Sequence, residues 1–318
     1  MYKYINMLRT KIEQSRNIKS RSLDNYMWSL NTIYTALNTK QKFDSLNWLG
    51  KKEEVVLFLE RYKPNTRKNF ISAIVVALST EPNRHKDLMD YYKVLLDSYL
   101  KQLNTTNKKQ ELTETQKENW TTMANLKAVA KSYKKKVNDI MEENEPLTKK
   151  HIATYQEYIL SLLYTEMPPL RNDYANMIMI RQDELKGMPK SSNYIVNDCG
   201  KYHLVLNQYK TDKFYGEQII KIPKKLFPIL SNWEKINYTH YFLINNKGNQ
   251  LNANGLSKLL NKTFSLTGKK IGSGMIRHIF LSEKYKANEE EKEGDAKAML
   301  HSVAVQQGVY VKKIPNVQ

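Results

Sequence analysis

At 318 residues the chain exceeds one ordinary domain, so two are expected, and its 41% hydrophobic content is enough for real cores. No apolar run approaches the about 18 residues a membrane span needs, the first residues lack the apolar stretch of a signal peptide, and the single cysteine, Cys199, excludes an internal disulfide and a cysteine-based zinc site. A net charge of +19, spread along the whole chain, favours a polyanionic partner, with nucleic acid ahead of an anionic membrane surface.

Residues 1–105 read as a helical bundle. Leu23, Tyr26, Met27, Leu30, Ile33, Tyr34 and Leu37 follow helical spacing over 22–40, with Ser22 as a plausible N-cap. A short helix over 53–62 ends at Pro64, a third starts near Thr66 and stops before Pro82, and a fourth begins near His85 and carries Leu88, Tyr92, Leu95 and Tyr99. Four helices with short polar links make a compact bundle whose outward cations, such as Lys19, Arg67 and Lys68, could meet DNA. Residues 101–118 are polar and apolar-poor, and 106–118 is the expected linker.

Residues 119–318 form the second expected domain. Trp120, Met123, Ala130, Tyr133 and Val137 mark one helix face, and Lys131, Lys134, Lys135 and Lys136 the other. Thr148 can cap a helix carrying Ile152, Tyr155, Ile159 and Leu163, which Pro168-Pro169 end just before Arg171. Strand signals at 194–196 and 202–206 flank Asn197-Asp198-Cys199-Gly200, a hairpin turn with glycine where a positive φ is needed, and a further strand covers 217–223. Helices over 224–235, 251–267 and 277–287 follow, with the acidic cluster 289–293 as a loop or helix start. His203 and His240 read as packing or surface residues.

Arg171, Lys210, Arg277, His301 and Tyr310, in that order, form a list with a chemical meaning. A tyrosine hydroxyl, with an ordinary pKa of about 10, needs electrostatic help to attack a phosphodiester at neutral pH. Guanidinium groups supply it, because they stay charged and their fork matches two phosphate oxygens. A lysine can protonate the leaving oxygen, and a histidine can bond a third oxygen or move a proton. Lys213 competes with Lys210, and His278 is a secondary candidate beside Arg277.

These residues carry a resemblance to the tyrosine recombinases (phage-integrase superfamily). The family's His-x-x-Arg-His reads Gly274-Met275-Ile276-Arg277-His278 here, and its Leu-Gly-His-Ser, with a tyrosine nine positions after the histidine, reads Met299-Leu300-His301-Ser302 and then Tyr310. The first arginine lies in Pro168-Pro169-Leu170-Arg171-Asn172-Asp173-Tyr174, wording similar to integrases of virophages and large eukaryotic DNA viruses, and the lysine lies in Lys210-Thr211. Two departures stand out: Gly274 replaces a usual His or Lys, and Tyr174 replaces the acidic residue usual three positions after the first arginine, with Asp173 beside it.

The resemblance implies a mainly α fold with a small antiparallel β-hairpin sheet, in which a helical core-binding domain clamps double-stranded DNA opposite a catalytic domain. It implies a 3′-phosphotyrosyl intermediate at Tyr310, a phosphorane held by Arg171, Arg277 and His301, proton donation by Lys210, and no metal, ATP or other cofactor. It also implies a homo-tetramer exchanging strands through a Holliday junction. Integration of a viral or mobile genome, in a host nucleus or viral factory, is the expected setting. The alternatives are a type IB topoisomerase, which shares the residue set, and a non-catalytic basic DNA-binding protein of the same fold.

Overall fold

The computed structural model describes residues 2–16, 18–37, 43–143, 145–285 and 291–312. The chain divides into two compact units, Met1–Lys109 and Gln110–Gln318. Among the described residues no helix is long and apolar enough to cross a membrane.

The first unit is built from α1 (Tyr2–Ser15), α2 (Ser20–Leu37), α3 (Lys52–Glu60), α4 (Pro64–Leu78) and α5 (Lys86–Lys108). Helical spacing in α2 places Leu23, Met27, Leu30, Ile33 and Tyr34 on one buried face. Pro64 starts α4 instead of merely ending α3, because its missing N–H costs nothing at the first helical position. Aromatic rings bind the core: Tyr34 stacks on Phe43 at 4.6 Å, and Trp48 meets Phe43 edge-on at 5.7 Å.

Three expectations change here. The bundle gains α1, which buries Leu8 and Ile12 and packs Tyr4 and Ile5 against the same core. Ser22 lies inside α2, which starts at Ser20. Arg67 donates from Nε to Tyr62 O and from Nη2 to Glu60 O, both at 2.7 Å, so it caps the end of α3 instead of reaching outward.

The second unit opens with α6 (Glu114–Asn119), α7 (Met123–Glu142) and α8 (Lys149–Thr165). Thr113 and Gln116 form a reciprocal capping box at the start of α6, and Thr148 with His151 does the same for α8. The expected linker is therefore helical at both ends: α5 runs to Lys108, and α6 fills the later half.

A four-stranded sheet follows, ordered β1 (Met177–Arg181), β2 (Asn193–Asp198), β3 (Lys201–Leu206) and β4 (Gln218–Lys221). The β2–β3 and β3–β4 pairs are antiparallel, whereas β1 pairs parallel to β2. The sheet is thus mixed and not purely antiparallel. The extra strand was missed because Met177-Ile178-Met179-Ile180 is a short apolar run without alternation. The β2–β3 turn puts both Cys199 (φ +49°) and Gly200 (φ +85°) in the left-handed region, as a two-residue hairpin loop demands.

Short helix α9 (Asp212–Tyr215) sits between β3 and β4. Helices α10 (Phe227–Ile236), α11 (Ala253–Thr263), α12 (Ser273–Lys284) and α13 (Glu291–Ala298) complete the unit. Helix α12 begins four residues earlier than expected, which places Gly274 in its first turn and Arg277 mid-helix. The start of the acidic cluster, Glu289–Glu290, Lys313 and the rest of the C-terminal tail lie outside the described residues.

Candidate active site

Three separate stretches of the second unit converge on a fourth, which carries Tyr310. Arg171 follows the Pro168-Pro169 break after α8, Arg277 and His278 lie on α12, His301 follows α13, and Tyr310 closes a turn with π-helical bonding over Gln306–Tyr310.

Arg277 is wholly buried. Its Nη1 donates to Pro169 O at 2.7 Å, and its Nη2 reaches Met299 O at 3.2 Å and His301 Nδ1 at 2.5 Å. The guanidinium lies over the Tyr310 ring, 4.7 Å from its centroid. Since an arginine only donates, His301 Nδ1 must accept, and the neutral ring carries its proton on Nε2. That Nε2, like Arg277 Nε, is buried with no partner among the described residues. Burial first, then the charges of Arg277 and Arg171, bring the His301 pKa down to about 3. His301 is therefore a neutral donor at pH 7.

Tyr310 is half-buried, with the rings of His278 and His301 each 5.1 Å from its own. Burial alone pushes its phenol up, but the charges of Arg277 and Arg171 and their hydrogen bonds to it outweigh burial and leave it below the ordinary value. A tyrosine lowered by two arginines is poised to be a nucleophile. Its carbonyl accepts from His278 Nδ1 at 2.8 Å and from Ser282 Oγ at 3.4 Å, one turn further along α12.

Leu300 joins the pieces. Its carbonyl accepts from Arg171 Nη1 at 3.4 Å and from Thr211 Oγ1 at 2.8 Å. It also holds a φ of +56°, a left-handed backbone that costs a non-glycine residue roughly 1–2 kcal/mol. The resembled pattern carries glycine at this position, the residue that adopts a positive φ at least cost.

Lys210 is exposed on the turn between β3 and α9, one residue from that Thr211 contact, while its side chain is not drawn into the cluster. Lys213 is exposed on α9. A Cβ built on Gly274 meets nothing within 4 Å, so a longer side chain has room there. Tyr174 is buried core, edge-on to Tyr164 at 5.3 Å. Asp173 Oδ2 accepts from the Arg171 backbone N–H at 3.1 Å, and burial holds its carboxyl up against the pull of Arg171 and Arg277.

Sequence reading missed Gln116 and Ser282, which help hold the cluster together, and met Thr211 only as the residue after Lys210. Only Gln116 left a signal, the Thr113-x-x-Gln116 capping box, in a stretch read as linker.

No protein-family model matches the chain, and no curated protein matches it. Among solved structures, the XerH site-specific recombinase, crystallised bound to its difH substrate in a pre-cleavage complex, aligns over 96% of this chain and 81% of its own at 15% identity, with a TM-score of 0.50. The XerA recombinase aligns over 98% of this chain and 94% of its own at 10% identity, with a TM-score of 0.39. The chain has the fold of a site-specific recombinase. It is mostly helical with a small mixed sheet, as the resemblance implied apart from the parallel pair.

Proposed function

We propose that the protein is a tyrosine recombinase, a DNA strand transferase in which Tyr310 attacks a phosphodiester, forms a 3′-phosphotyrosyl bond and releases a 5′-hydroxyl. The observation that carries this reading is the stacking of a buried guanidinium, Arg277, on a tyrosine whose phenol two arginines hold below its usual pKa. Arg171, Arg277 and the spare Nε2–H of His301 meet the two non-bridging oxygens of the phosphorane. The two guanidinium groups that lower the phenol turn part of their charge to the incoming phosphate. Lys210, on an exposed turn beside the cluster, donates the proton to the leaving 5′ oxygen. The phosphotyrosyl link conserves the phosphodiester energy, so rejoining a second 5′-hydroxyl needs no nucleotide hydrolysis.

Under this reading the substrate is double-stranded DNA held by a tetramer, with the first unit as the DNA-clamping domain. The setting, integration of a viral or mobile genome, rests on the wording of residues 168–174 alone. The test is a nicked duplex that loses its 5′ fragment after cleavage. Wild type is expected to give a covalent protein–DNA band on a denaturing gel, and Tyr310→Phe none, at nearly unchanged DNA affinity. Equal bands from both proteins would remove Tyr310 from the chemistry. Plasmid relaxation without recombinant products would turn the reading to a type IB topoisomerase.

A further inference from the structure

The first residues of the second unit reach the backbone of Tyr310. Thr113 N donates to Gln116 Oε1 at 2.9 Å, and Gln116 N donates to Thr113 Oγ1 at 3.3 Å. This reciprocal cap uses the amide oxygen and leaves Nε2 on the other side, 3.1 Å from His278 Nε2. An amide nitrogen only donates, so His278 Nε2 accepts and the ring proton sits on Nδ1. That proton points along the 2.8 Å contact to Tyr310 O, a carbonyl that only accepts. The two bonds demand the same tautomer.

The turn they hold has little of its own to hold it. Its bonding is π-helical, with Val311 N donating back to Gln306 O at 2.9 Å, a geometry that occurs mostly as single turns, frequently at functional sites. The Gln306 side-chain amide is buried with no partner among the described residues. Outside bonds therefore set the placement: His278 on Tyr310 O at 2.8 Å with Ser282 Oγ behind it at 3.4 Å, Lys312 N on that Oγ at 2.7 Å, and Gln110 Nε2 donating to Gln307 O at 3.0 Å.

We propose that Gln116 is a positioning residue for the nucleophile: by accepting from Thr113 and donating to His278, it fixes the Nδ1–H tautomer that holds the Tyr310 carbonyl. This rests on Tyr310 being the attacking group. His278 is faced by Arg277 on its own helix, by Lys312 from the C-terminal segment, by the Tyr310 ring and by Gln116. Burial first, with Lys312 and Arg277 acting against the Tyr310 carbonyl, brings its pKa down to about 4. The ring is neutral in the wild type at physiological pH.

Gln116→Glu separates positioning from plain structure. A carboxylate still accepts from Thr113 N but cannot donate to His278. It draws a proton to Nε2 instead and leaves a bare Nδ1 against the Tyr310 carbonyl, unless the ring is protonated on both nitrogens. The single-turnover capture rate of Gln116→Glu, divided by that of wild type, is expected to be about one-tenth at pH 8 and to recover towards one at pH 5.5, with half-saturating DNA unchanged. A ratio that stays flat across this range would overturn the proposal. The ring nitrogens of ¹⁵N-histidine-labelled wild type give a readout that needs no DNA and no variant. An Nδ1–H signal is expected for His278, and an Nε2–H signal would overturn the proposal. If wild type and Tyr310→Phe captured DNA equally, the Tyr310 reading would fall, while the nitrogen spectrum would still decide whether Gln116 sets His278.

Discussion

Arg277 and Lys210 carry the same charge and are held in opposite ways. Arg277 is sealed inside the second unit, its guanidinium fixed by Pro169 O, Met299 O and His301. Lys210 stands on an exposed turn, tied to the cluster only through the backbone and hydroxyl of its neighbour Thr211. Each arrangement suits a different task. Charge that develops on a phosphorane is best met by donors that need not reorganise, and arginine never gives up its proton. A leaving oxygen needs a proton that can be surrendered and regained, which a solvated lysine provides.

Arg277→Ala tests the rigid side and carries the largest expected effect. It should abolish covalent capture and also destabilise the protein by about 3 kcal/mol or more, since three buried acceptors lose their donor. Lys210→Ala tests the mobile side. Capture should fall by about a hundredfold or more while stability changes by less than about 0.5 kcal/mol. A substrate whose leaving 5′ oxygen is replaced by sulfur should restore Lys210→Ala and leave Arg277→Ala inactive, because a thiolate departs without a proton. Rescue of both, or of neither, would erase the distinction.

Acid should strike only the buried side. His301 and His278 sit at about 3 and about 4 in the folded protein, each lowered first by burial, against about 6.5 in an unfolded chain. Between these values the unfolded chain binds more protons, so stability rises with pH through the window and is lost as pH falls below about 6.5. Urea unfolding at pH 5 is expected to show about 2 kcal/mol less stability per histidine than at pH 7. His301→Asn should remove its share of that slope. The smallest effect belongs to Gly274, where an added side chain has free space. Gly274→Ala should gain up to about 1 kcal/mol in helix stability, and Gly274→His should raise capture by no more than about threefold above Gly274→Ala.

What the amino-acid order disclosed follows the same divide between local and long-range causes. Helices with dense periodic faces, such as α2 and α8, were legible, as was the Cys199-Gly200 turn. The candidate residues stood out through order and spacing, although nothing in spacing says that Arg171 and Arg277 would share one phenol. Strand β1 was hidden because its five residues owe their pairing to β2 and not to alternation. The strain at Leu300 was hidden because a leucine gives no sign of a positive φ. Gln116 was overlooked for a third reason: its partner, His278, lies 162 residues away.

The most direct measurement is to locate the bond. Covalent complex formed on the nicked duplex can be digested with nuclease and trypsin, which releases residues 298–312 as one peptide, and then fragmented in a mass spectrometer. A nucleotide joined through its 3′ phosphate to Tyr310 is the expected product. An adduct on any other residue, or a 5′-phosphate linkage, would contradict the proposed chemistry.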